Sequence, residues 1–273
     1  MIELPEGLVL ARQMDQELTG KRIAQIAANT SPHKFAWYTG DPADYPVLFT
    51  GKMVEGAHSY GGNVHLRVSE DCGLMFCDGT CLRYYTAADK APKKHQLCIT
   101  FDDGTCLVGT VQMYGSLASY TGNYDNPYDE AARTRPSPLS DAFDRAYFQA
   151  LVPADKPKLS AKALLATEQR IPGLGNGVAQ DILFAAGVQP RRPVSDMSAE
   201  EFDRLFGAVK ETLRAMTEKG GRDVERDLYG APGGYRTRLS KNTWRSPCPQ
   251  CGGAIVKEAY LGGSVYYCPR CQK

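Results

Sequence analysis

Hydrophobic positions follow a helical period at the start of the chain and an alternating, strand-like period after it. An N-terminal helix is predicted by apolar residues at near-helical spacing, namely Leu4, Leu8, Ala11 and Leu18. Gly20 follows as a natural helix end. From about residue 23 to residue 119 the pattern is mostly that of strands. Asp103-Gly104 lies between two apolar runs and predicts a hairpin turn.

Helical spacing returns after a segment rich in turn residues. That segment, 122–138, contains Asn-Pro and Pro-Ser-Pro and is predicted to link two domains. Ser160 is expected to cap a helix that runs to Glu168. Ser198 and Glu201 have the spacing of a capping box. A single apolar face then continues at helical spacing through Phe202, Leu205, Phe206, Val209, Leu213 and Met216. The pattern therefore predicts a β-rich first domain and a helical second domain.

The last thirty residues carry two pairs of cysteines, Cys248-Pro-Gln-Cys251 and Cys268-Pro-Arg-Cys271, with 16 residues between them. Four thiolates at this spacing are typical of a tetrahedral zinc site, and zinc with four protein ligands is structural rather than catalytic. The loop between the pairs reads as a hairpin that turns at Gly262-Gly263. The alternative is that these are four buried cysteines without a metal.

Composition restricts the class of protein. The chain has 273 residues, of which 42% are hydrophobic and 23% charged, as in an ordinary globular protein. No apolar run reaches membrane-spanning length, and Glu3 and Glu6 lie where a signal peptide would be basic. Five cysteines remain outside the two pairs, an odd number. We therefore expect a monomer in a reducing cytoplasm, with no membrane partner.

Positive charge is concentrated near the C-terminus, although the net charge of the whole chain is only +1. Residues 228–257 contain no acidic residue, and their basic residues are Arg236, Arg238, Lys241, Arg245 and Lys257. A basic stretch beside a zinc knuckle suggests a polyanionic partner. An ordinary solvated surface explains the charge equally well.

A compact glycine-rich turn precedes one of the predicted helices. Residues 171–177 read IPGLGNG, and the next helix is predicted from Val178 to Ala186. Such a turn leaves backbone N–H groups free at a helix N-terminus, where they can bind phosphate, and Asn176 adds a side-chain donor. A plain connection between two helices is the alternative reading.

Residues 171–192 closely resemble the helix–two-turns–helix motif of the Fpg/Nei family of DNA glycosylases. Three further places are similar to that family in the same order, and one of them is Gly220-Gly221 with the turn at Pro232-Gly233 before the zinc hairpin. The chain begins Met1-Ile2-Glu3-Leu4-Pro5-Glu6 where the family has Met-Pro-Glu-Leu-Pro-Glu, and it ends with Cys-Pro-Arg-Cys-Gln. The resemblance implies an α+β protein. Its domains would be an N-terminal β-sandwich with flanking helices (1–132), a helix–two-turns–helix domain (133–240) and a zinc finger (241–273). Double-stranded DNA would bind between them, with Gly175 and Asn176 at its backbone.

The resemblance also implies a nucleophile that this chain lacks. The family reaction uses the amine of a proline at the mature N-terminus, which attacks the sugar C1′ of a flipped nucleotide and forms a Schiff base. Position 2 is Ile2 here. Because removal of the starter methionine needs a small second residue, we predict that Met1 stays and that its amine is displaced by one residue. Glu3 matches the family's proton donor or base, and Glu6 is also retained.

Residues that contact DNA in the family are replaced as well. A lysine becomes Asn63, and the hairpin arginine that clamps phosphates becomes Gly263. The residues that fill the gap left by a flipped nucleotide match Gln112, Tyr114 and Cys77. Tyr114 is predicted either to wedge between bases or to lie in the sandwich core. An aromatic cluster is interpreted as packing rather than base stacking: His33, Phe35, Trp37 and Tyr38.

The sequence therefore predicts a DNA-binding protein of base excision repair type in which the proline-dependent abasic-site lyase chemistry is lost. Its expected DNA contacts are Asn63, Gln112, Tyr114, Gly175, Asn176, Arg236, Arg238 and Lys241. Two alternatives stay open. One is an active N-glycosylase that removes oxidised bases, either by hydrolysis through Glu3 or as a lyase through the Met1 amine. The other is a zinc-ribbon protein that binds RNA or protein.

Overall fold

The structure is a computed structural model that describes residues 1–156 and 158–273. Its helices are α1 (Leu4–Leu18), α2 (Tyr45–Phe49), α3 (Pro127–Thr134), α4 (Arg145–Ala150), α5 (Ala161–Ala166), α6 (Asn176–Ala186) and α7 (Ala199–Glu218). Its strands are β1 (Ile23–Ala28), β2 (Ala36–Trp37), β3 (Val54–Tyr60), β4 (Asn63–Val68), β5 (Cys72–Tyr85), β6 (Leu97–Phe101), β7 (Cys106–Thr121), β8 (Val256–Tyr260) and β9 (Gly263–Tyr267). The predicted α+β class, with strands first and helices after them, is confirmed.

The strands of the N-terminal domain are hydrogen-bonded into one seven-stranded sheet of order β1-β6-β7-β5-β4-β3, with β2 added beside β7. The two long strands β5 and β7 are neighbours in the middle of this order. The predicted turn at Asp103-Gly104 joins β6 to β7, with Gly104 at a positive φ of 83°. The apolar side chains of the sheet form one core, which also takes in Leu10, Met14 and Leu18 of α1.

The helical domain has its own core. The capping box at Ser198 and Glu201 is present, and it starts the 20-residue helix α7. Apolar residues of α5, α6 and α7 pack together with Leu4 at the start of α1. Because α1 contributes to both cores and contacts β3, β4 and α7, it connects the two domains.

Two predicted boundaries differ from the structure. The segment 122–138 was expected to be a linker, but it contains α3, because the Asn126 side chain accepts hydrogen bonds from two N–H groups of the first turn. The predicted domain boundary at residue 132 consequently falls inside a helix. The helix that begins after Ser160 ends at Ala166, before Glu168, because Thr167 takes an extended conformation with φ −127° and ψ 156°.

The C-terminal hairpin consists of β8 and β9, which pair antiparallel. Its core residues Ile255 and Tyr266 pack against Phe184 of α6 and Leu239. Among the described residues, no helix combines the length and the apolarity needed to cross a bilayer.

Candidate functional site

The N-terminus of α6 is capped by a carboxylate from the start of the chain. Glu3 Oε1 accepts a hydrogen bond from the Gly177 amide (2.9 Å), and Oε2 accepts from Gly175 (3.1 Å) and Val178 (2.8 Å). A negative charge at this position is favoured by the dipole of α6. The backbone amides that were predicted to bind a phosphate thus donate to the protein's own Glu3.

A buried arginine joins Glu3 to Glu6. Arg222 is 2% exposed, and its Nε and Nη2 donate to the two oxygens of Glu6 at 3.0 and 2.7 Å. Its Nη1 lies 3.3 Å from Glu3 Oε1. Burial opposes the charged guanidinium, but Glu3 and Glu6 outweigh that effect and raise the pKa of Arg222. The two retained glutamates are therefore members of one buried ionic triad.

Arg222 could not be recognised from the sequence. It follows the Gly220-Gly221 pair as an ordinary arginine, and no local pattern marks it as buried. The available signal was Gly177, the last residue of the glycine-rich turn, which lies in the first turn of α6. A Cβ at position 177 would lie 1.8 Å from Nη1 of Arg222, so the missing side chain leaves the space for the guanidinium.

The beginning of the chain is fixed by two polar contacts. The N–H of Ile2 donates to the carbonyl oxygen of Asp78 in β5 at 2.6 Å, and the Ile2 side chain is buried in the core of the sheet. The Met1 ammonium lies 2.7 Å from Oε2 of Glu225. The nitrogen of residue 2 is thus an amide in a hydrogen bond, and the terminal amine is paired with a carboxylate.

The four paired cysteines converge at the end of the hairpin. Their sulfur atoms all lie within 4.8 Å of one another, with Cys248–Cys271 at 3.8 Å and Cys251–Cys268 at 3.5 Å. A tetrahedron with Zn–S bonds of about 2.3 Å has sulfur–sulfur edges of about 3.8 Å. The donor set therefore fits one structural zinc ion and leaves no coordination position open for a substrate.

The turn of the hairpin is held against the start of α6. Asn176 Nδ2 and Gln180 Nε2 both donate to the Ser264 carbonyl, at 2.9 and 2.8 Å. A Cβ on Gly263 would lie 3.3 Å from Asn176 Nδ2, so glycine at this position permits the close approach. Asn176 Oδ1 is buried and has no hydrogen-bond partner among the described residues.

Comparison with known proteins places this site in a family. Residues 135–227 match the formamidopyrimidine-DNA glycosylase H2TH domain, and residues 245–273 match the zinc finger found in FPG and IleRS. A formamidopyrimidine-DNA glycosylase of Neisseria meningitidis is 32% identical over 283 aligned residues, and one of Geobacter metallireducens is 30% identical over 277. Each alignment covers 100% of both chains. The chain belongs to the formamidopyrimidine-DNA glycosylase family.

Solved structures of the family have the same fold. The MutM (Fpg) protein of Thermus thermophilus superposes with a TM-score of 0.81 at 24% identity, covering 99% of this chain and 98% of that one. A Lactococcus lactis Fpg, crystallised with DNA that contains an abasic site, superposes with a TM-score of 0.83 at 23% identity and covers 99% of both chains. The predicted helix–two-turns–helix domain and zinc finger are thereby confirmed, and the full-length match gives no support to an unrelated zinc-ribbon protein.

Asn63 stands where the glycosylase family is expected to have lysine, and it points into a buried polar network. Its Nδ2 donates to Asp129 Oδ1 at 3.0 Å, and the same oxygen lies 2.7 Å from His65 Nε2. Burial opposes ionisation of Asp129, but the hydrogen bond and charge of His65 outweigh it and lower the pKa of the carboxyl. The Asn63 amide is thus engaged by the protein itself.

The segment that contains Gln112 and Tyr114 forms a bulge within β7. The register of β5 and β7 shifts after Asp78, so residues 112–114 face Gly79 alone. Gln112 is exposed and Tyr114 is half-buried, with its ring 5.9 Å from that of Trp37. Cys77 is hydrogen-bonded to Asp78, and burial raises the pKa of its thiol.

The aromatic cluster of residues 33–38 was interpreted as packing. Tyr38 packs on the core, as that interpretation requires, but Phe35 and Trp37 are exposed.

The predicted basic contacts lie on an extended segment that enters the zinc finger. Arg236, Arg238 and Lys241 are exposed, whereas the alternate residues Tyr235, Thr237 and Leu239 are buried. The carboxylate of Asp181 on α6 accepts hydrogen bonds from the amides of Arg238 and Leu239. None of the three basic side chains forms an ion pair with a residue that the structure describes.

Proposed function

We propose that this member of the glycosylase family binds abasic or otherwise damaged duplex DNA without the proline-dependent lyase reaction. Its full-length relatives are named as formamidopyrimidine-DNA glycosylases, and a protein of the same fold has been crystallised with abasic DNA. Because DNA is the expected ligand, a cytoplasmic location, with association to the nucleoid, is part of the proposal.

The observation that carries the proposal is the state of the nitrogen at residue 2. Schiff-base formation needs an amine with a free lone pair, whereas an amide lone pair is delocalised into the carbonyl. The Ile2 nitrogen is such an amide, and its N–H is already bound to Asp78. The Met1 amine is not free either, because it lies 2.7 Å from Oε2 of Glu225.

Hydrolysis through Glu3 is opposed by its hydrogen bonds. An ionised carboxylate has about four lone-pair positions. Glu3 uses them for three backbone amides and for Arg222. A carboxylate whose lone pairs are all engaged has none left to accept the proton of an attacking water. The geometry therefore supports a binding role for the DNA cleft over a hydrolytic one.

The proposal is tested by borohydride trapping, base release and affinity measurements on the same duplexes. Duplexes with an abasic site and with an oxidised base should bind, yet give neither a covalent adduct nor strand cleavage. A trapped adduct on the Met1 amine would overturn the proposal, as would base release at a catalytic rate.

One variant separates the effect of the missing proline amine from the effect of the hydrogen bonds that hold the Glu3 carboxylate. Ile2→Pro permits removal of the starter methionine and supplies the imino acid. We expect it to remain far below a proline-bearing relative in trapping yield, because Glu3 stays bound to α6 and Arg222 and because Asn63 replaces a lysine. Full lyase activity in this variant would show that residue 2 alone was responsible.

A further inference from the structure

A groove lies on the zinc finger at the end that holds the cysteine pairs. It is lined by residues 244–247, which precede the first cysteine, and by residues 252–255, which follow the second. Its volume of about 460 Å³ is in the range of protein sites that bind ligands. Trp244, Pro247 and Ile255 give the lining apolar surface, and we call the site the tryptophan groove.

Trp244 is fixed in the groove by packing and by two cations. It packs against the core that Ile255 forms with Phe184 of α6, and it remains half-buried. Arg245 Cζ lies 5.2 Å from the centre of its ring, and Lys257 Nζ lies 5.3 Å from it. Cations at these distances are attracted by the face of an indole. A side chain that is held in this way loses little conformational entropy when a ligand binds beside it.

The rim of the groove carries positive charge. Arg245, Lys257 and Arg270 are exposed, and none of the three forms an ion pair with a residue that the structure describes. A Cβ on Gly253 would lie 3.2 Å from Arg270 Cδ, so the Arg270 side chain lies directly beside the lining. The groove therefore combines an apolar lining with three cations that have no protein counter-charge.

The finger offers no carboxylate of its own to these cations. Glu258 is the only acidic residue in residues 241–273, and it pairs with Arg191 at 2.7 Å. A ligand that brings carboxylates would gain charge-assisted hydrogen bonds from the rim and would meet no like charge there. Charge complementarity therefore selects an acidic ligand.

The groove and the expected DNA contacts lie at opposite ends of the finger. At the hairpin turn, the Ser264 carbonyl accepts from Asn176 at the start of α6. At the cysteine end, a Cβ on Gly187, which follows the last residue of α6, would lie 3.3 Å from the Cys271 carbonyl. The 11 residues of α6 span about 16 Å, so the two ends of the finger are about that far apart. A ligand in the groove therefore leaves the cleft between the domains accessible to DNA.

We infer that the tryptophan groove is a docking site for an acidic segment of another protein. An apolar or aromatic side chain of that segment enters the groove beside Trp244, and neighbouring carboxylates pair with Arg245, Lys257 and Arg270. A peptide fits better than a nucleic acid, because a base that stacked on the indole would have to displace the cations near its face. The inference goes beyond the proposed function and does not depend on it, since the groove would hold a partner while the cleft holds DNA.

A displayed library of random peptides, each about a dozen residues long, tests this chemistry without assuming a sequence. Peptides enriched on the zinc-loaded full chain should combine several acidic residues with an apolar or aromatic one. Trp244→Ser should weaken their binding by about tenfold or more, because it removes the buried aromatic contact. Arg245→Glu with Lys257→Glu should weaken it by a similar factor without changing the packing of the finger. Arg214→Glu, which reverses an exposed charge on α7, is the matched control and should bind as the parent does.

Trp244 also reports occupation of the groove. The chain has two tryptophans, so Trp37→Phe leaves Trp244 as the only one. In this background a selected peptide should change the Trp244 emission, and it should do so equally in the presence of saturating duplex DNA. Zinc content is measured for every variant, so that loss of the finger is distinguished from loss of the docking contact.

Four outcomes would overturn the docking proposal. The first is an enriched set without acidic residues, or no enrichment at all, and the second is equal binding of the peptides by the parent and both groove variants. In the third, duplex DNA competes with the peptides and the same variants weaken duplex binding, which would assign the groove to the DNA contact. In the fourth, the charge variant loses zinc while its zinc-loaded fraction binds peptide normally, so that the cations serve the metal site. None of these outcomes bears on lyase chemistry in the cleft.

Discussion

Gly177 and Arg222 occupy one space that cannot hold both a guanidinium and a side chain at position 177. A Cβ there would lie 1.8 Å from Arg222 Nη1 and 2.7 Å from Glu3 Oε1. We therefore expect Gly177→Ala to displace the guanidinium and to lower the free energy of unfolding by about 1–3 kcal/mol. Urea denaturation measures the change. Gly207→Ala is the matched control, because nothing lies within 4 Å of its Cβ and alanine favours helix α7. A neutral Gly177→Ala would contradict the tight fit.

Removing Arg222 should be more costly. Arg222→Met leaves Glu3 and Glu6 buried without their counter-charge, and the loss of one partner from a buried ion pair costs about 3–5 kcal/mol. The double variant Arg222→Met with Glu6→Gln should recover part of this loss, since it removes one of the uncompensated charges. Thermal and urea unfolding of the two variants test the expectation. Equal stability of the single and double variants would mean that Glu6 is not coupled to Arg222.

Zinc should be necessary for the arrangement at the start of α6. The hairpin that the cysteines close presents the Ser264 carbonyl to Asn176 and Gln180, so loss of metal should free both side chains. We expect about one zinc per chain by elemental analysis, and weaker duplex binding in Cys251→Ser. Cys81→Ser, which changes a cysteine of the sheet, should retain both zinc and affinity. Unchanged DNA binding after confirmed metal loss would refute this link.

Stability should fall as the pH drops below about 6.5. Burial, and then the charges of His65 and Arg67, lower the pKa of His58 to about 4. The unfolded chain binds this proton near pH 6.5, so stability is lost between about pH 6.5 and 4 and then levels off. Because His58 is partly exposed, solvent screens its charge. We therefore expect the free energy of unfolding to fall by about 1–2 kcal/mol, less than the full pKa shift of His58 would give. His58→Gln should flatten this part of the profile and His95→Gln should not.

The exposed basic residues before the zinc finger should determine part of the salt dependence of DNA binding. Arg236, Arg238 and Lys241 project from a segment whose other side is buried. Each glutamine variant should reduce the slope of log K against log salt by about 0.9 if its side chain neutralises one phosphate. Arg204→Gln, an exposed arginine on α7, is the control. An unchanged slope removes the residue concerned from the set of contacts.

The sequence by itself determined the features whose causes are local. The spacing of the cysteines specified the zinc site, which consists of Cys248, Cys251, Cys268 and Cys271. Each pair has two residues between its cysteines, and the two pairs together supply the four ligands of a tetrahedral zinc ion. The capping box at Ser198 specified the start of α7, since both of its hydrogen bonds join residues three apart. The position of Ile2 was also readable directly, because the family's nucleophile is defined by its place in the chain.

Tertiary structure decided which groups occupy the site. Glu3 meets Gly177 and Arg222 across 174 and 219 residues of sequence, and no local pattern encodes contacts over such separations. The glycine-rich turn was therefore predicted to bind a phosphate, whereas in the fold its amides hold Glu3. Exposure of Trp37 was likewise fixed by the pairing of β2 with β7 and by the register shift after Asp78. A buried charge or an exposed aromatic ring depends on what the rest of the chain places beside it, and that is settled only when distant segments pack.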